Sequence, residues 1–300
     1  MIVRVADDRA RVVREIRAAA PLMSDLAAPV PARGPWLTAA LPAPGTRPFP
    51  RHRPRAVVVE RDLQGRPDGM ALLSFRRRGP VTAVGLLGRL PGPLPPGRPT
   101  SRLYARDDEI AGLLADGVLE LLTSIRGPWT LRLTGLPLGD PTVRALSARL
   151  SAARVPAGHS TDRSRALVDE LDGVADVHRT RDPAAVDRWL PAVLARLPRP
   201  QRAFVRAVTR VHAALGELEL AVVPHRDGVA AALLTFVDGT DRWPWWGVSD
   251  LGGLRTELGM PLVSLDAAVR VGGPVSDAVW RGAARLTGHG AGLSGGAAPS

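Results

Sequence analysis

The same succession of elements is written twice along this chain, and that recurrence restricts it to an α/β protein built in tandem. In the first half, apolar Val12, Val13 and Ile16 recur between arginines at helical spacing and predict a helix over 8–20. A proline-rich, irregular stretch over 21–50 follows, with Trp36 expected to anchor it to the core. Strand-like runs at 55–60 and 70–75 flank the turn-rich DLQGRPDG at 62–69, and a third strand is expected over 81–87. Then come a Gly/Pro loop over 88–99, a helix over 107–125 capped by Asp107, a strand over 129–133, and a helix over 140–153 opened by Asp140 and Pro141. The second half runs through helices over 182–196 and 201–215, then strands over 217–223 and 229–237 about the HRDG turn at 225–228. An aromatic extended run over 242–248, a glycine-interrupted loop over 251–259, a helix over 261–271 and a strand over 275–280 complete it. Residues 161–176 read as the joint. The expected organisation is a domain over 1–160, a second over 161–287 and a disordered Gly/Ala/Ser-rich tail over 288–300, each domain α/β with a mixed (α+β) sheet.

Composition narrows the chemistry. The chain has 300 residues and a formal net charge of +11, and all 40 of its basic residues are arginine. It contains no lysine, asparagine or cysteine, a bias that first marks a GC-rich genome. Without lysine there is no Schiff base and no P-loop ammonium. Without cysteine there is no thiolate nucleophile and no disulfide. Because arginine is inflated throughout, the positive charge is discounted as a nucleic-acid footprint. The first sixteen residues carry acids and arginines through what a signal peptide would need as an apolar core, and no uncharged apolar run reaches about 18 residues. A cytoplasmic protein with no membrane partner is expected, its oligomeric state unassigned.

Several patterns match chemistry on letters. GLSGG at 292–296 fits a nucleophile elbow but has no helix-forming sequence after it. The six histidines show no metal spacing, so no metal is expected. Arg53 and Arg55 on one strand and Arg76, Arg77 and Arg78 on its partner flank one hairpin, beside His52, and could form one phosphate- or RNA-binding patch. The bland alternative is solvated strand ends. Trp243, Trp245 and Trp246 fall within four residues; alternation puts the first two on one face, where they serve either as core or as the wall of a substrate pocket. Asp250 follows at the strand's exit, and Asp277 and Arg281 are the next polar residues of the final predicted strand.

Two stretches carry a family likeness. AFVRAVTRVHAALGELELAVVPHRDGVAAALLTFVDGTDRWPWWGVSD, at 203–250, resembles the second half of tandem GNAT-fold proteins, which include the Fem-type aminoacyl transferases. VVVERDLQGRPDGMALLSF, RDDEIAGLLADGVLELL and WTLRLTGLP resemble the first half. The resemblance implies two tandem GNAT-like domains whose central strands splay into a wedge for a donor's carbonyl. It further implies acyl or aminoacyl transfer to an amine of a small molecule or peptide, with acyl-CoA or aminoacyl-tRNA as donor and tRNA as a candidate partner. Asp250, with Asp277, would be the catalytic carboxylates, and Trp243, Trp245, Trp246 and Arg281 would line the acceptor site. The coenzyme A signature Q/R-x-x-G-x-G/A is missing where it is expected, at 88–99 and 251–259. That departure favours a donor other than acetyl-CoA. It equally fits a specialised-metabolism enzyme that reuses the fold for cyclisation or elimination on a small amine, or a non-catalytic binding protein.

Overall fold

The computed structural model describes residues 1–41, 52–62, 65–89, 92–226 and 228–269. The first half begins with strand β1 (Ile2–Ala6) and helices α1 (Arg9–Ala18), α2 (Ala20–Asp25) and α3 (Gly34–Ala40). Strands β2 (His52–Glu60), β3 (Gly69–Arg78), β4 (Val81–Leu86) and the short β5 (Tyr104–Ala105) precede α4 (Asp108–Thr123), β6 (Trp129–Pro137), α5 (Pro141–Ala152) and β7 (Ala157–Asp169). Next are β8 (His178–Thr180), α6 (Pro183–Ala195), α7 (Arg199–Ala214), β9 (Leu218–His225), β10 (Gly228–Asp238), β11 (Asp241–Ser249) and β12 (Leu254–Val269). None of the described helices is long and apolar enough to cross a membrane.

These elements form two sheets. The larger runs β1-β2-β3-β4-β6-β12-β7, with β5 beside β3, and the smaller runs β11-β10-β9-β8. All the pairs are antiparallel except β4–β6, which α4 connects as a crossover. The mixed sheet is therefore the α/β class read from the sequence.

Each face of the larger sheet has its own core. Val57, Val59, Leu73, Phe75, Val84, Leu131 and Leu133 point to the face covered by α4 and α5. Ala56, Val58, Met70 and Leu72 point to the other, where they meet α1 to α3. The caps follow the sequence. Asp107 accepts from Ile110 N at 2.9 Å, and Asp140 accepts from Thr142 N and Val143 N, both at 3.0 Å.

Several expectations change. The stretch read as irregular holds α2 and α3, because Pro21 and Pro35 sit in the first turns of helices, where a missing N–H costs nothing. Residues 2–6 form a strand. The described part of the helix expected over 261–271, up to Val269, is strand, because Leu265 and Ala267 alternate with Asp266 and Ala268 and both edges are paired, to β6 and to β7. The joint over 161–176 is largely β7. The boundary expected after residue 160 falls inside β7, and β12, from the second half, lies between β6 and β7 in the first sheet. The strand at 275–280, the tail and the GLSGG stretch lie outside the described residues, as do Asp277 and Arg281.

Candidate functional site

The parallel pair is registered at four positions, from Thr82 opposite Trp129 to Gly85 opposite Arg132. Beyond them β4 ends at Leu86 and β6 runs on to Pro137, paired among the described residues only with β12, and the place where the parallel pairing stops is the fork of this sheet. Gly135, with φ of 76°, turns its carbonyl into that fork, where Thr100 N and Ser101 N donate to it at 2.9 and 3.2 Å. Arg89 donates to the Thr134 hydroxyl on the same side. Burial, then the Arg132 charge, lowers the Arg89 pKa.

Strand register assembles a polar surface at the base of the fork, on the face opposite α4 and α5. One row across the sheet reads Ser74, Gly85, Arg132, Asp266, Gly158. The next reads His52, Arg76, Ala83, Thr130, Ala268. The floor is thus made of small residues, and charged side chains rise from either end of it. Gly85 lies close to the neighbouring strand: a Cβ there would stand 3.3 Å from the Arg132 carbonyl oxygen, a tight contact.

On one side Arg132 pairs with Asp266 at 3.3 Å. Burial pushes the Asp266 carboxyl above its ordinary value, partly opposed by Arg132. On the other side His52 Nδ1 lies 3.2 Å from Ser74 Oγ, and Arg76 and Arg78 share its face. The Nε atoms of both arginines are cut off from solvent and unpartnered. Burial first, then the Arg76 and Arg78 charges, hold His52 below its usual pKa.

The expected arginine patch is divided by strand alternation. Arg76 and Arg78 face one side, while Arg53, Arg55 and Arg77 face the other with Phe75. There Arg55 lies 4.8 Å over the Phe75 ring, and Arg77 Nε donates to Gly79 O at 3.3 Å.

The tryptophans are core rather than pocket wall. Trp243 and Trp245 are buried, and their indole N–H groups donate to Pro96 O at 2.7 Å and Pro93 O at 3.0 Å. Trp245 stacks on Phe236 at 5.0 Å and meets Trp36 edge-on at 5.3 Å. Trp36 is itself buried and donates to Gly88 O at 2.9 Å, anchoring its segment as expected. Trp246 is half-buried at the margin of the same cluster. The four strands of the second sheet are antiparallel throughout, so the described residues form no second fork.

Asp250 is a surface carboxylate held by both Arg196 terminal nitrogens at 2.6 and 2.7 Å. Those hydrogen bonds depress its pKa, which makes it a poor base, and it directly follows β11 of the smaller sheet, its N–H donating to Ala230 O at 2.9 Å.

Sequence reading missed Ser74, Thr130, Arg132 and Asp266. The pattern Ser74-x-Arg76-x-Arg78 beside small Ala83 and Gly85 carries part of the signal by period-two alternation. Asp266 was hidden by the helical reading of its segment.

No protein-family model matches the sequence, and no curated protein matches it. Among solved structures, the chain is similar to a tandem GNAT protein from the clavulanic acid biosynthesis pathway, with 12% identity and a TM-score of 0.44, over 91% of this chain and 100% of that one. It is also similar to a GCN5-related N-acetyltransferase from Sphaerobacter thermophilus, with 12% identity and a TM-score of 0.32, over 91% of this chain and 98% of that one.

Proposed function

We propose that this protein is an acyltransferase-type enzyme acting at the fork between β4 and β6 on an amine of a small molecule or peptide. The observation that carries the reading is the juxtaposition of that fork with a carboxylate–guanidinium pair, Asp266 and Arg132, on a floor of small residues. An approaching amine attacks the carbonyl carbon of an ester or thioester. A C–N bond forms, the acyl C–O or C–S bond breaks, and the departing oxygen or sulfur leaves as alkoxide or thiolate to be protonated. Asp266, with its raised pKa, takes the proton the nitrogen must lose. The Arg132 guanidinium is placed to steady charge developing on the carbonyl oxygen. The donor is an activated acyl or aminoacyl ester, aminoacyl-tRNA being favoured over acetyl-CoA because the coenzyme A loop pattern is missing at 88–99.

The test is amine acylation with aminoacyl-tRNA and with acyl-CoA donors, together with the Asp266→Asn variant. The expected result is a rate lowered by about 10²–10⁴-fold in the variant. The wild-type rate should rise with pH through a pKa above the ordinary 3.8, because the base works deprotonated, and the variant should lose that limb. Full turnover in Asp266→Asn removes the residue's role, and failure of every donor removes the reading.

One observation favours a non-catalytic binding protein instead. The fork is already occupied by Thr100, Ser101 and Arg89, and the cavity beside it, between Leu72, Leu86, Ser101 and Tyr104, measures about 10 Å³, room for no more than one water. Ligand binding without turnover would decide for that reading.

A further inference from the structure

Among the described residues, every half-buried arginine but two has a partner against it: a carboxylate, a hydroxyl or carbonyl oxygen, or the face of an aromatic ring. Arg4 lies between Glu15 and Glu60, Arg179 between Asp169, Asp172 and Glu219, and Arg242 against Glu219. At the interfaces between segments, Arg33 pairs with Asp238 and Arg98 with Asp241. Arg76 and Arg78 break this rule. They sit two residues apart on one strand, so both side chains leave the same face. Both are half-buried, their Nε atoms have no partner, and no carboxylate among the described residues reaches either guanidinium. Only two acidic residues of the chain, Asp227 and Asp277, lie outside the described set. His52 stands directly opposite Arg76 in the register and shares its field.

Partially dehydrating two guanidinium groups side by side is unfavourable in two ways. Each loses hydration, and each repels the other. Burial, then the Arg78 charge, accordingly lowers the Arg76 pKa. A compact anion placed among them would relieve both costs. It would accept from the guanidinium forks, whose planar geometry matches tetrahedral oxyanions, and from the imidazole N–H. The neighbouring floor suits such a ligand, since Ser74 offers a hydroxyl while Ala83 and Gly85 leave room above the sheet.

We propose that His52, Arg76 and Arg78 form a binding site for a phosphate group. The site lies at the start of β4. The loop over 88–99, where the family resemblance places pyrophosphate binding, leaves the far end of that strand. The site does not depend on acyl transfer at the fork and holds if the protein transfers nothing. Phosphate could arrive on a small molecule or in an RNA backbone, and the chemistry of recognition is shared.

Isothermal titration of the full-length protein with pyrophosphate, and separately with a short RNA stem-loop, tests the site. Binding of at least one probe is expected, weakening at least tenfold in the Arg76→Gln/Arg78→Gln double variant and changing little in Arg53→Gln/Arg77→Gln on the opposite face. Pyrophosphate binding assigns a small-molecule source. RNA binding alone, with a steep salt dependence, assigns a polynucleotide. Should the double variant fail to fold, the single Arg78→Gln variant carries the same readout. Silence with both probes, or equal losses from the two faces, overturns the proposal, the latter because it would mean diffuse charge rather than a site.

Discussion

At the residue scale, the same type of side chain acquires opposite roles from its surroundings. Asp250 and Asp266 are both strand-associated aspartates next to an arginine. Asp250 accepts two short hydrogen bonds from Arg196 in open solvent, so its acidity increases. Asp266 meets Arg132 at a longer distance within a partly dehydrated surface, so burial dominates and its acidity falls. The indoles show the same dependence on context. Trp243 and Trp245 each need a partner for one N–H once buried, and two proline-loop carbonyls supply it. Trp245→Ala should therefore destabilise the protein by about 3–5 kcal/mol in chemical denaturation, through lost contact with Trp36 and Phe236 and the cavity left behind. Asp250→Asn, at the exposed ion pair, should leave the denaturation midpoint and ligand binding where they were. A large loss of activity in that variant would restore the role assigned to Asp250 from the sequence.

At the element scale, the segment from Gly92 to Leu103 binds the molecule together although it contains no regular structure. Its carbonyls hold the two indoles of β11, while Arg98 pairs with Asp241 at 2.6 Å and lies 5.5 Å over the Trp243 ring. Gly97 O accepts from Met260 N at 3.0 Å, and Thr100 and Ser101 close the fork on Gly135. Proline suits this task because it stiffens an irregular chain and leaves carbonyls free to accept. Gly97 is the position that admits no side chain: its φ is 88°, and a Cβ would come within 2.8 Å of the Ala166 Cβ. Gly97→Val should cost about 1–3 kcal/mol. It should also red-shift tryptophan emission as the loop lifts from Trp243 and Trp245. Unchanged emission and stability would show that the loop is not the clasp described.

At the scale of the whole molecule, the two halves are not separable beads. β12 enters the first sheet between β6 and β7, and its Leu265 and Ala267 join the core that α4 and α5 cover. The outer stretch of the β7–β12 pair continues past β6, where Leu167 and Leu254 pack on the patch of Leu171, Ala221, Ala231 and Leu233 at the second sheet. A fragment of residues 1–160 lacks β12 and most of β7. It should fail to fold alone and should regain structure when 161–300 is supplied in trans, as read by circular dichroism and co-purification. A cooperatively folded 1–160 fragment would contradict this picture and uphold the boundary read from the sequence.

Local pattern determined the parts whose physics is local. The hairpin of β2 and β3, the caps Asp107, Asp140 and Asp182, and helices α4 to α7 were legible because alternation, capping and helical spacing act over a few residues. Trp36 announced its burial by being a large aromatic in an otherwise small-residue stretch. Tertiary structure alone decided that Asp266 meets Arg132 across 134 positions of sequence and that β12 is lent to the first sheet. Strand partners are chosen by which apolar faces can be buried together, and that choice belongs to the assembled sheet rather than to any segment of it.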